Sequence, residues 1–240
     1  MATLCIDIGN TLIKAAVFHD NKLIDFHPVD AQNTDELSRL ITRFNVDAAI
    51  LSNVAAIPEN LLALLRSLNT FIVLDHTTPL PIENLYETKE SLGKDRIAAV
   101  VGAHFLFPDD DLLVIDAGTA ITYDIITVKG QYLGGNIAPG LQMRFKALNH
   151  FTSRLPLLEP RKDIPPFGKN TNEAIQTGVQ QGILCEADGF IDLYKAQFPG
   201  LKVVFTGGDA NFFDKNLKST IFVVSNLVMI GLNRILIHNT

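Results

Sequence analysis

The feature that most constrains this 240-residue chain is an internal duplication. LCIDIGNTLIKAAVF at residues 4–18 is matched by LVIDAGTAITYDII at 113–126. Each copy reads as an apolar strand, an Asp, one spacer, a Gly, a small polar turn and a second apolar strand, the pattern of a β-hairpin. Asp7 and Asp116 are the equivalent acids, Gly9 and Gly118 the equivalent turn glycines. Two unrelated buried hairpins could share such letters, but acid, glycine and hydroxyl agree in spacing. One duplication makes two related halves rather than a solenoid, which stacks several repeats.

The segments between the hairpins alternate strand and helix. Asn33-Thr34-Asp35-Glu36 reads as a helix cap, followed by Leu37, Leu40, Ile41 and Phe44 at helical spacing. Ala48–Leu51 and Phe71–Leu74 read as short strands, with a helix starting at Pro58 between them. Residues 75–92 read as a loop, and Ile97–Phe107 as a helix. Phe107-Pro108-Asp109-Asp110-Asp111 then punctuates the chain, so we place a domain boundary between residues 1–110 and 111–240. Beyond it come a helix from about Gly140, a long one from Thr171 to Phe198, strands Val203–Thr206 and Phe222–Val224, and a last helix. Alternation predicts an α/β fold, and the opening hairpins predict mixed rather than purely parallel sheets. In the long helix, Ile175, Val179, Ile183, Leu184, Phe190 and Ile191 spread around the circumference. That helix is therefore expected either inside the chain's own core or against a second chain.

Composition excludes several functions. Apolar residues make up 47% of the chain, too many for a disordered protein, and its length allows roughly 70–75% of the unfolded surface to be buried. The net charge of −6 argues against a nucleic-acid surface. Cys5 and Cys185 are too few for a disulfide framework and point to a reducing, cytoplasmic setting. No apolar run approaches the ~20 residues of a membrane span, and MATLCIDIGN lacks the basic start of a signal peptide. The six His are scattered, and no P-loop, dinucleotide fingerprint or nucleophile elbow is present.

Five segments carry candidate chemistry. In the run Asp7, Ile8, Gly9, Asn10, Thr11, Leu12, Ile13 and Lys14, the turn can present backbone N–H groups to a phosphate, with Lys14 as a point charge. Asp7 suits Mg²⁺ held through water, although a plain hairpin with a capping Asp has the same letters. The turn Asp116-Ala117-Gly118-Thr119 could do the same from the other half, so that two turns clamp a nucleotide. In Gly93-Lys94-Asp95-Arg96, Asp95 is either a helix cap or a general base, and Arg96 either a solvated first-turn residue or a carboxylate anchor. Gly134-Gly135-Asn136-Ile137-Ala138-Pro139-Gly140 reads as a loop entering a helix, either a substrate wall or a tight connection. Thr206-Gly207-Gly208-Asp209 ends a strand where α/β sheets leave room for ligands; a bare turn is the alternative.

In chain order, DIGNTLIK (7–14), Tyr86 seven residues before GKDR (93–96), DAGTAITYD (116–124), GGNIAPG (134–140) and GKNTNEAIQTG (168–178) resemble type III pantothenate kinases, short members of the actin/hexokinase/Hsp70 ATPase superfamily. The resemblance implies two duplicated ribonuclease-H-like (actin-like ATPase) domains with mixed sheets flanked by helices. It implies ATP-dependent phosphorylation of pantothenate to 4′-phosphopantothenate, the first step of coenzyme A synthesis. Carried over residue by residue, Asp7 to Lys14 and Thr119 would contact ATP, and Asp95 would be the catalytic base. Tyr86, Gly93, Lys94, Asp95, Arg96 and Thr171 would contact pantothenate. Asp116 would hold a monovalent cation (K⁺ or NH₄⁺), with Mg²⁺ accompanying ATP. Thr171 would complete the site near the interface of a homodimer. Another sugar-type kinase of the superfamily and a non-enzymatic nucleotide-dependent regulator are the alternatives. Sugar kinases need not share the Tyr86-to-Asp95 spacing, and a regulator should have lost the acid at 95 or 116.

Overall fold

The computed structural model describes residues 1–9, 13–29, 34–53 and 59–240. Asn10, Thr11 and Leu12 of the first turn, the Asn33 cap and the Pro58 helix start lie outside the described residues. The chain divides into two compact units. One comprises Met1–Pro108, Lys129–Leu133 and Asn226–Thr240; the other comprises Asp109–Val128 and Gly134–Ser225.

In the first unit, β1 (Ala2–Ile8), β2 (Ile13–His19) and β3 (Lys22–Val29) form an antiparallel meander. β4 (Val46–Asn53) lies parallel to β1, and β5 (Thr70–Val73) parallel to β4, giving the order β3-β2-β1-β4-β5. The β2–β3 turn is Asp20-Asn21, both with positive φ (47° and 66°), the geometry of a type I′ hairpin. β1 is apolar on both faces because both are covered: Leu4, Cys5 and Ile6 are fully buried. Helix α1 (Thr34–Phe44) turns Leu37 and Leu40 into the core, as its spacing predicts, and α2 (Glu59–Arg66) does so with Leu61 and Leu65. The third strand was not anticipated: β3 leaves Leu23, Ile24 and Phe26 exposed, so its letters carry no clear buried alternation.

Helix α3 (Lys94–Leu106) begins three residues before the apolar stretch that predicts it, because Lys94, Asp95 and Arg96 form its first turn. Its main partner is α7 (Leu227–His238). The two backbones touch at paired glycines. A Cβ on residue 231 would lie 1.7 Å from Ala98 O, and one on residue 102 would lie 2.4 Å from Leu227 O. The Thr3 hydroxyl donates to Asn233 Oδ1 at 2.6 Å, tying α7 to β1 inside the core. The stretch 75–92 holds some regular structure after all: β6 (Glu83–Asn84), parallel to Gln131–Tyr132, and a 3₁₀ turn at Lys89–Ser91.

In the second unit, β7 (Leu112–Ala117) and β8 (Ala120–Ile126) form the repeated hairpin, continued by β9 (Gln131–Pro139). β10 (Lys202–Thr206) runs parallel to β7, and β11 (Phe222–Val223) parallel to β10. This sheet has six strands in the order β11-β10-β7-β8-β9-β6, and five of them, β9-β8-β7-β10-β11, repeat the order of the first sheet, β6 being added at the edge. The GGNIAPG segment is therefore a strand, not the expected loop. Glycine lowers β propensity, but Gly135 is needed, since a Cβ there would fall 1.8 Å from Tyr123 O of β8. Helix α4 (Leu141–His150) and the 27-residue α5 (Thr171–Gln197) cover the sheet, and α6 (Ala210–Asn216) follows the Gly-Gly turn. Ile175, Val179, Ile183 and Ile191 of α5 join Phe145, Phe205 and Phe213 in this unit's core. The apolar circumference of α5 is thus largely consumed within the chain. Its open face carries Ala174, Gly178, Gly182, Cys185 and Gly189. Among the described residues no helix is long and apolar enough to cross a membrane.

Candidate active site

The first unit gathers its candidate residues where β1 and β4 end. Asp7 is opposite Lys14 across the hairpin and opposite Ser52 across the parallel pair. Burial pushes the Asp7 carboxyl up in pKa. The Ser52 hydroxyl, only 1% exposed, pulls it back; the Asp95 charge raises it further, and Lys14 lowers it. Ile8 and Ile13 close the described part of the hairpin as a buried pair beside Gly9. Asn53, next after Ser52, accepts a hydrogen bond from Lys94 Nζ at 2.9 Å. Neither Ser52 nor Asn53 stands out in the sequence. The signal available was positional: both end a short strand that lies parallel to the Asp7 strand.

Asp95 is not the cap of α3. Gly93 is the N-cap, with no side-chain capping bond, and Asp95 sits in the first turn, at the positive end of the helix dipole. Its Oδ1 accepts from Arg96 N at 2.8 Å. A Cβ on residue 93 would lie 2.6 Å from that same oxygen, so glycine keeps open the space the carboxylate occupies. Arg96 is 4% exposed rather than a solvated surface residue, and its guanidinium carbon lies 5.5 Å from the Tyr86 ring centroid. Tyr86 N donates to Asn84 Oδ1 at 3.0 Å. The structure thus brings Asp7, Lys14, Lys94, Asp95, Arg96 and Tyr86 into one connected group.

In the second unit, Asp116 is the next-to-last residue of β7, opposite Thr122 and Thr206. Gly207 has φ +95°, and a Cβ there would meet Asp116 Oδ1 at 2.5 Å and Ala117 O at 2.3 Å. Gly140 N donates to Thr119 O at 3.1 Å, and a Cβ on residue 140 would lie 2.2 Å from Gly118 O. Both glycine motifs therefore shape the Asp116–Thr119 turn by close backbone approach. Thr119 itself is exposed at the tip. Burial raises the pKa of Asp209, the residue capping α6. Thr171 opens α5, whose cap is Asn170, its Oδ1 accepting from Glu173 N at 3.0 Å. Thr171 lines an open cavity of about 840 Å³ with Arg144, Phe151, Leu155 and Gly178. Among the described residues no three His, Cys, Asp or Glu converge as metal ligands.

The chain's relatives fit this arrangement. A family model described as type III pantothenate kinase matches residues 3–193. The chain is similar to the type III pantothenate kinase of Bacteroides fragilis, with 48% identity over 237 residues and 98% of each chain covered. A solved Campylobacter jejuni structure, described as a Baf family transcriptional activator, superposes with a TM-score of 0.62 at 28% identity over 98% of both chains. A glucokinase from an Antarctic psychrotroph superposes with a TM-score of 0.55 at 12% identity, over 100% of this chain and 99% of that one. The last likeness shows a shared hexokinase-type fold of two mixed sheets flanked by helices.

Proposed function

The chain belongs to the type III pantothenate kinase family, and from that premise we propose that it transfers the γ-phosphoryl group of ATP to a primary hydroxyl of pantothenate, with Asp95 as the general base. The observation that carries this reading is the Gly93-vacated space around the Asp95 carboxylate, beside Asp7 and the Arg96–Tyr86 pair. Asp95 takes the hydroxyl proton as that oxygen bonds to the γ-phosphorus. The bond from phosphorus to the β–γ bridging oxygen breaks, and ADP leaves with its electron pair. Such a transfer needs positioning and charge neutralisation more than covalent help. Asp7 to Lys14 and Thr119 would contact the nucleotide. Tyr86, Gly93, Lys94, Arg96 and Thr171 would contact pantothenate.

The residues present fit the implied ions. The half-buried carboxylate of Asp7 suits Mg²⁺, which binds proteins through one or two carboxylates and takes its other oxygens from water and phosphates. Asp116 lies beside the carbonyl of Ala117, with space kept free by Gly207, a hard-oxygen setting suited to K⁺ or NH₄⁺. Either ion would offset phosphate charge. The open face of α5, with its small residues, and the adjoining cavity at Thr171 support a twofold dimer that completes the substrate site. A cytoplasmic setting fits the free thiols of Cys5 and Cys185.

The regulator reading has one observation in its favour, the description of the Campylobacter relative. Both acids that a non-catalytic descendant would be free to lose, Asp95 and Asp116, are retained, and the charge of −6 disfavours DNA. ADP release by the purified protein, measured with pantothenate, glucose, glycerol or no acceptor, decides between them. Release should depend on pantothenate and on potassium, and should fall when a bulky organic cation replaces potassium. Sedimentation of the same sample should show a dimer. Release indifferent to pantothenate would sink the reading; unchanged turnover without potassium would remove only the cation site.

A further inference from the structure

We propose that Tyr132 sets the affinity for pantothenate without touching it, by holding the ring of Tyr86; this rests on the reading of Tyr86 as a substrate contact. Tyr86 lies between the two-residue β6 and the 3₁₀ turn at Lys89–Ser91, on a segment with little regular structure. A half-buried aromatic there has few local constraints on its direction. Tyr132 supplies them twice. Its ring stacks on Tyr86, with centroids 6.1 Å apart and planes 12° from parallel. Its carbonyl accepts from Leu85 N at 3.0 Å, within the β6 pairing that sets Asn84 opposite Tyr132. Gly130 O accepts from Glu83 N at 2.8 Å, and Gln131 Nε2 donates to Glu83 Oε2 at 2.8 Å, so the whole edge is fastened there.

Tyr132 is fully buried and Tyr86 half-buried, so of the stacked pair Tyr86 is the ring open to a ligand. Arg96 holds the same ring from α3, and Asp95 is its neighbour in that first turn. The stack therefore links the substrate tyrosine to the helix turn that carries the base. Tyr132 is a positioning residue, and the alternative is a core aromatic whose loss merely loosens the fold. A stacked aromatic pair contributes enough that its loss should change affinity about twofold to tenfold.

A mutant cycle separates the two. KM for pantothenate and for ATP is measured for the wild type, Tyr132→Phe, Tyr132→Leu, Tyr86→Ala and the Tyr132→Leu/Tyr86→Ala double variant. Tyr132→Leu should raise the pantothenate KM about twofold to tenfold with the ATP KM little changed, and Tyr132→Phe, which keeps the ring, should restore it. In the Tyr86→Ala background, Tyr132→Leu should add nothing. An equal rise in both backgrounds, or an equal rise in the ATP KM, would overturn the proposal while leaving the reading of Tyr86 intact. A Tyr86→Ala variant with unchanged pantothenate KM would overturn both. If Tyr132→Leu does not fold, Tyr132→Met, which fills the buried space without an aromatic face, serves in its place; the same dependence on the Tyr86 side chain is expected, with equal effects in both backgrounds again the overturning result.

Discussion

Asp7 and Asp116 are the next-to-last residues of equivalent strands in two sheets that share a five-strand order, yet their surroundings differ. Across the hairpin, Asp7 is opposite Lys14, and Asp116 opposite Thr122. Across the parallel strand, Asp7 is opposite Ser52, and Asp116 opposite Thr206. The next residue along is Asn53 in one case, which holds the Lys94 ammonium, and Gly207 in the other, which vacates space beside the carboxylate. The first copy surrounds its acid with charged side chains and a second acid, Asp95. The second sets its acid opposite two threonines, Thr122 and Thr206, with the Gly207 backbone close beside it. Duplication supplies the scaffold, and a few side chains at register-equivalent positions divide the labour. We propose residues 1–110 and 111–240 as the duplicated halves of the sequence; Lys129–Leu133 and Asn226–Thr240 of the second half belong to the first compact unit.

The comparison breaks most sharply at Asp95. Asp95→Asn should lower kcat about 10²-fold to 10⁴-fold while leaving the ATP KM close to wild type, since a general base is lost but no nucleotide contact. A variant keeping more than about a tenth of the rate would make Asp95 positional rather than the base.

A smaller effect is expected at the second acid. Gly207→Val places a side chain at φ +95° and against Asp116 Oδ1, a strain of roughly 1–3 kcal/mol at the turn. It should weaken nucleotide binding about tenfold, with the pantothenate KM less affected. Equal losses for both substrates in steady-state kinetics would mean that the second turn is not specialised for the nucleotide.

The smallest effect is on stability. The Asp7 carboxyl titrates above its ordinary range, chiefly because it is buried. A raised acid binds its proton more tightly in the folded than in the unfolded state, so its share of stability is present at low pH and lost as pH rises through the folded pKa. Asp7→Asn should therefore raise the melting temperature of the nucleotide-free protein at neutral pH while weakening ATP binding. The gain should shrink as pH falls through the raised folded pKa and be gone below the ordinary carboxylate value of about 4. A gain equal at every pH, in thermal melts of both proteins, would exclude ionisation as its cause.

Much of this was legible from local letters. Asp7, Asp116 and their glycines announced the paired hairpins, and Leu37, Leu40, Leu61 and Leu65 announced helices whose faces are buried as their spacing requires. Gly93 and Asp95 were legible as a motif, but not as cap and first-turn acid, because polar residues open α3 ahead of its apolar stretch. β9 was misread because Gly134 and Gly135 weaken the local preference that its pairing with β8 overrides.

The sequence alone determined the duplication, the α/β class and the acids, since these rest on periodicity and short-range spacing. The tertiary structure decided which distant residues meet them. Ser52 and Asn53 face the Asp7 group only because β4 takes a parallel register beside β1, which no residue within either strand specifies. Gly207 reaches Asp116 across some ninety residues of chain by the same means. Tyr132 finds Tyr86 because a two-residue strand pairs at the start of β9. α7 finds α3 because Gly102 and Gly231 let two backbones touch. Register and close approach are properties of assembled surfaces, so they emerge only once those surfaces exist.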